Sequence, residues 1–161
     1  MEMRYLSICL WLLFCAGGVP ASGYDGTDIP GIIRLAGQGD AEAQSKLGVL
    51  YASGIGVTLD KQEAAKWYRK SADQGYPLGQ WNLAFMYVRG EGVASDYAKA
   101  LELFRKAAES GLDCAQYDLG MMYLQGVGVT PDREESQKWL QRSAGSGYGD
   151  AEKMLEELAA K

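Results

Sequence analysis

The chain has 161 residues, with 16 Lys and Arg against 21 Asp and Glu, no His, and a formal net charge of −5. An acidic balance without a basic patch argues against nucleic acid and anionic membrane surfaces as partners. The missing His removes the commonest general base and the commonest transition-metal ligand.

From the N-terminus, residues 1–21 read as a signal peptide. Tyr5 to Val19 is 15 residues without a charge, too short to cross a bilayer core of about 30 Å as a helix. Val19 and Ala21 are small residues placed for a cut before Ser22. The leading segment is weak, because Glu2 offsets Arg4, and a start at Met3 would improve it. An uncleaved N-terminal anchor is the rival reading. Lipidation at Cys15 fits less well, since bulky Phe14 precedes it. Cys9 and Cys15 fall inside the signal, which leaves Cys114 alone and rules out an intramolecular disulfide after cleavage. Residues 22–28 form a short polar linker.

From residue 29 to 161 one register governs the sequence. Gly39, Gly75, Gly111 and Gly147 recur at intervals of 36 residues. The same interval links Leu47, Leu83, Leu119 and Leu155, then Tyr51, Tyr87 and Tyr123, then Asp60, Asp96 and Asp132. Self-similarity at such a period means a stack of supersecondary units, each too small to bury its own apolar face. The full units fall at about 40–75, 76–111 and 112–147. Before them, Ile32 and Ala36 are in register with Tyr68 and Ala72, so Ile29–Gln38 reads as a partial second helix. Within each unit a first helix carries an apolar stripe: Ala43, Leu47, Tyr51; Gly79, Leu83, Tyr87; Ala115, Leu119, Tyr123. Gly48, Ala84 and Gly120 beside it let a neighbouring helix approach. A Gly-x-Gly-Val element ends that helix. Asp60, Asp96 and Asp132 then N-cap a second helix, with Glu63 and Glu135 completing a capping-box pattern. The second helices bury Ala64, Trp67, Tyr68, Ala72; Ala100, Leu103, Phe104, Ala108; and Ser136, Trp139, Leu140, Ala144. The final segment, 148–161, is a capping helix: Ala151 and Leu155 keep the register, while Glu156 puts a charge where another unit would pack.

The run Ala43 to Gly75, repeated from Ala115 to Gly147 and more loosely from Gly79 to Gly111, resembles the Sel1-like repeat, a relative of the tetratricopeptide repeat. The resemblance covers about three quarters of the chain. It implies an all-α, right-handed superhelical solenoid of antiparallel helix pairs. It also implies adaptor, regulator or binding-module roles, many of them in exported bacterial proteins. One exported branch of the family staples each repeat with a disulfide. This chain lacks those cysteine pairs, so nothing suggested for that branch's chemistry carries over.

The residue types offer little for catalysis. The three Gly-x-Gly elements follow helices and recur, unlike a phosphate loop, which follows a strand and opens a helix. Glu134-Glu135 and Glu156-Glu157 are neighbours about 100° apart on a helix and do not converge. Trp67 and Trp139 read as packing residues, and Cys114 as a plain small residue. No catalytic, metal or cofactor site is expected, and a hydrolase is the least favoured class.

The positions that vary between units carry the functional reading. In tetratricopeptide-like stacks the first helices line the concave face. By register its outward residues are Glu42, Ser45, Val49, Ala52 and Ser53; Leu78, Trp81, Phe85, Val88 and Arg89; Cys114, Tyr117, Met121, Leu124 and Gln125. The cap adds Asp150, Lys153, Glu157, Ala160 and Lys161. An apolar, aromatic centre inside a polar rim is the anatomy of an interface. The alternative is that curvature buries these residues between units. The expected function is protein binding outside the cytoplasm, in the periplasm, through Leu78, Trp81, Phe85, Val88, Arg89, Tyr117, Met121, Leu124 and Gln125. The expected partner is a cell-envelope protein or a secreted effector, with no nucleic acid and no membrane insertion after signal cleavage. An exported adaptor or regulator and a periplasmic immunity protein against a secreted toxin both fit.

Overall fold

A computed structural model describes residues 28–160, so the signal and most of the linker lie outside the described residues. Eight helices run through them: α1 Ile29–Gly37, α2 Ala41–Ser53, α3 Lys61–Asp73, α4 Pro77–Arg89, α5 Tyr97–Glu109, α6 Asp113–Gln125, α7 Arg133–Gly145 and α8 Gly149–Ala159. Each helix packs on the next, and α2 also touches α4. The helices form a helical repeat solenoid in which α2/α3, α4/α5 and α6/α7 are the units. The flanking α1 and α8 stand as a leading second helix and a trailing first helix.

The cores follow the expected stripes. Leu47, Leu83 and Leu119 are buried on the first helices, and Tyr68, Phe104 and Leu140 on the second. Trp67, Leu103 and Ala144 are only half-buried, while Ala65, Ser71, Ala107 and Ser143 are buried without having been expected. The small residues act as anticipated: a Cβ on Gly48 would stand 2.6 Å from the Tyr68 ring, and one on Gly120 2.9 Å from Leu140 Cγ.

Asp60, Asp96 and Asp132 do cap α3, α5 and α7, accepting from Glu63, Lys99 and Glu135 backbone N–H at 3.0, 3.0 and 2.9 Å. The reciprocal half of the capping box is absent. The N–H of each Asp instead donates to the carbonyl of Tyr51, Tyr87 or Tyr123 at 2.9, 3.1 and 2.9 Å. That bond closes the turn between the two helices and frees the glutamates. Glu63 pairs with Lys66, and Glu135 with Lys138 and the Trp139 indole.

Two polar ladders tie unit to unit. Gln44, Gln80 and Gln116 are buried, and their Nε2 groups donate to the carbonyls of Ala36, Ala72 and Ala108 at 3.2, 3.5 and 3.1 Å. Arg69 and Arg105 donate to the Tyr87 and Tyr123 hydroxyls of the following unit. Each of those carbonyls also accepts a backbone N–H, from Gly39, Gly75 or Gly111 at 3.1, 2.9 and 3.0 Å, so the glutamine is a second donor on the carbonyl's other lone pair and comes from the following unit.

The second glycine of each Gly-x-Gly does more than end a helix. Gly128 has φ +70°, and a Cβ there would lie 2.7 Å from the backbone oxygen of Tyr97, the first residue of α5. Gly92 abuts the Lys61 backbone in the same way, whereas Gly56 meets only the Ile29 side chain. In the second and third units the turn thus sits on the backbone at the start of the preceding second helix, at a distance only glycine permits. Lys61 and Glu91 add an ion pair of 2.9 Å across one such contact.

A cleft between the second and third repeats

Residues from α4, α5, α6 and the turn after α6 enclose a cleft of about 580 Å³. Phe85 and Val88 come from α4, Tyr97 and Phe104 from α5, Asp118, Met121, Met122 and Gln125 from α6, and Gly126–Gly128 from the turn. The wall is apolar because the groove faces of two first helices meet the start of the second helix between them. Phe85 stands edge-on to Phe104 at 5.0 Å between ring centroids and to Trp81 at 4.8 Å. Edge-to-face rings in a row make a stiff wall. Tyr97, at the rim, keeps 48% of its surface exposed.

Asp118 is the acidic exception. Its Oδ2 accepts from the Trp81 indole N–H at 2.7 Å. Although the residue keeps some exposed surface, its carboxyl is enclosed, and burial pushes its pKa up from 3.8 to about 7, against the opposing pull of the indole hydrogen bond. Desolvation penalises the charged form and one neutral donor does not restore it.

The structure divides the expected groove residues. Phe85, Val88, Met121 and Gln125 line the cleft. Trp81 lies behind the wall, packed against two core clusters and bonded to Asp118. It is therefore inter-unit packing as well as groove, and the expectation that it stands clear of the core is corrected. Arg89 sits 5.5 Å from the Phe85 ring, and Leu78 is half-buried away from the cleft lining. Tyr117 and Leu124 turn the other way, onto the cluster around Leu140, Ala151 and Leu158, with Tyr117 5.2 Å from the Tyr148 ring. Ser45 and Cys114, assigned outward by register, are 4% and 2% exposed. Curvature closes those positions between units. Tyr97, Phe104, Asp118, Met122 and Val127 were missed. Tyr97 carried a signal: its counterparts, Lys61 and Arg133, are charged, so an aromatic at that solvent-facing helix start breaks the register.

The cleft can bind and has little with which to react. Its titratable side chains are one carboxyl and one phenol. Among the described residues no three His, Cys, Asp or Glu side chains gather to hold a metal. None of the described helices is long and apolar enough to cross a membrane.

The Sel1 repeat pattern matches residues 41–76, 77–112 and 115–148, within three residues of the units read from the register. A Sel1 repeat protein from Oxalobacter formigenes shares 35% identity, with a TM-score of 0.74 over 81% of this chain and 98% of that one. The protective antigen c5321 of uropathogenic Escherichia coli, described as having an SLR fold, shares 37% identity with a TM-score of 0.76. The match covers 81% of this chain but only 28% of that longer protein. Cysteine rich protein B of Helicobacter pylori shares the fold at 20% identity and a TM-score of 0.65, over 83% of this chain and 99% of that one. Among curated proteins no match is found. Sel1 repeats generally mediate protein–protein interaction and form a non-enzymatic fold. With three in-register copies that fill most of its described length, this chain belongs to the Sel1 repeat family.

Proposed function

We propose that this protein is an exported interaction module, an adaptor or regulator that takes an apolar segment of a cell-envelope or secreted protein into the cleft between α4 and α6. The observation that carries the reading is the cleft itself. Two first helices and an exposed tyrosine leave a concave, largely apolar cleft of about 580 Å³. Concave, largely apolar sites with a few polar groups are where proteins take ligands and anchoring side chains. Phe85, Val88 and Met121 form the floor, Gln125 and Tyr97 the rim. Trp81, Tyr117 and Leu124 hold the helices that shape it. Export is supported by the pattern of residues 1–21.

The test is site-specific photo-crosslinking in the cell envelope. A photoreactive residue at Met121 should capture a discrete partner. The same residue at Leu59, which is 57% exposed on the loop before α3, should not. Equal capture at both positions would show that the cleft is not the binding surface.

A further inference from the structure

Asp118 ties the third unit to the second through the Trp81 indole, and that bond uses only part of what its carboxyl can accept. Its counterpart in the first unit is Lys46, ion-paired to Glu42 at 2.7 Å, and in the second Asn82, a neutral amide 3.5 Å from Ser45 Oγ. Only the third unit places an acid here, and it does so where the surrounding surface is aromatic and methionine-rich. The side chain is held by a single indole N–H on Oδ2, whereas a carboxylate accepts up to about four hydrogen bonds. The remaining side chains of the cleft lining are Phe, Val, Met, Tyr97 and Gln125, none of them a cation.

We propose that the cleft recognises a partner segment carrying an arginine or lysine, whose aliphatic stem lies along Phe85, Met121 and Met122 and whose charged head meets Asp118. This rests on the reading of the cleft as a protein-binding site and names the chemistry of its occupant. Long basic side chains bury their stems on apolar surface and keep their charge for a polar partner. Methionines adapt to such stems. A charged hydrogen bond to a desolvated carboxylate is about twice as strong as a neutral one, and the arriving cation supplies the opposite charge that offsets the desolvation of the carboxylate. The net charge of −5 favours the approach of a basic segment over an acidic one. A purely apolar segment would leave the carboxyl enclosed and uncompensated, which disfavours it.

A random linear heptapeptide phage library selected on the immobilised protein tests this, beside Asp118→Asn and Met121→Lys. The wild type should enrich a basic residue flanked by apolar ones. Asp118→Asn should keep the apolar flanks and lose the basic residue. Met121→Lys, which places a cation in the cleft itself, should enrich neither. The enriched peptide with its arginine replaced by citrulline should bind the wild type about tenfold more weakly, and both peptides should bind Asp118→Asn alike. Circular dichroism checks the fold of each variant. If Asp118→Asn does not fold, the citrulline comparison on the wild type decides. Apolar peptides enriched without a basic residue would overturn the cation inference and leave the binding reading standing. A basic preference unchanged in Asp118→Asn would overturn it too, since the overall charge would then explain it. A dimer broken by Met121→Lys would make a second copy the occupant and overturn it. No enrichment above Met121→Lys would sink both readings.

Discussion

Replacing Gly128 with alanine isolates the contact that sets one unit on the last. Two costs add. Gly128 has φ +70°, and a residue with a Cβ in that region loses roughly 1–2 kcal/mol. The new Cβ would also stand 2.7 Å from Tyr97 O and 3.0 Å from Tyr97 C. Those are backbone atoms at the start of α5, so no side chain can swing away, and relief requires α5 and the turn to part. Overpacking of this kind costs about 1–3 kcal/mol, for a total of roughly 2–5 kcal/mol. Gly111→Ala is the control: it has φ +89° and nothing within 4 Å of its Cβ, so it bears the conformational cost alone. Urea unfolding of both variants gives the difference directly. Gly128→Ala should fall below Gly111→Ala by about 1–3 kcal/mol, or roughly 3–10 °C in melting temperature for a domain of this size. Equal destabilisation would mean that the second glycine serves the turn only and that the fit between units tolerates a methyl group.

Two further outcomes follow from the same geometry. Burial raises the Asp118 pKa from 3.8 to about 7, so its folded form holds a proton that the unfolded chain has released. That stability is full below about pH 4 and is lost as pH rises through about 7, worth about 2–3 kcal/mol between pH 5 and 8. Asp118→Asn should flatten this slope in chemical denaturation and be the more stable protein at pH 8; an unchanged slope would assign it to other groups. Asp96 and Glu102, whose pKa values are lowered by Lys99 and Lys106, act in the opposite direction but at lower pH, outside that window. In the glutamine ladder, Gln44 makes two bonds, to Ala36 O and from Gln74 Nε2, whereas Gln80 makes one at 3.5 Å and its Oε1 has no protein partner. Gln44→Leu should therefore cost about 1–2 kcal/mol and Gln80→Leu close to nothing; equal losses by thermal melting would contradict the ladder's unequal geometry.

The fold was legible because its rules are one-dimensional. Leu47, Leu83 and Leu119 had to face one way, Asp60, Asp96 and Asp132 had to cap, and the interval of 36 residues put each on the same place in its unit. The polar ties were harder to see for a physical reason. A glutamine at Gln44, Gln80 or Gln116 looks like a surface residue unless the preceding helix is known to end against it with a carbonyl in reach of its amide. The glutamates at Glu63 and Glu135 misled in the opposite sense. The capping-box spacing was present, but the Tyr51 and Tyr123 carbonyls already held the N–H groups those side chains would have reached.

The cleft was half legible, and the missing half follows from where repeats differ. Register assigns a residue to a face only while neighbouring units are related by the same rotation and similar side chains. Phe85, Val88, Met121 and Gln125 line the cleft. The register failed for Ser45, because a stack that brings α2 onto α4 closes that position, and for Cys114, which is likewise buried. Tyr117 and Leu124 are partly covered by the cluster at α8, where Tyr148 and Leu158 lie, a neighbour that an outward assignment does not consider. Averaging over units also hides the residues that break the pattern. Tyr97 stands where Lys61 and Arg133 stand, and Asp118 where Lys46 and Asn82 stand. A repeat protein fixes its fold with the positions that recur and can fix its partner only with those that do not. In this chain two such departures, an exposed aromatic and an enclosed acid, open onto the same cleft.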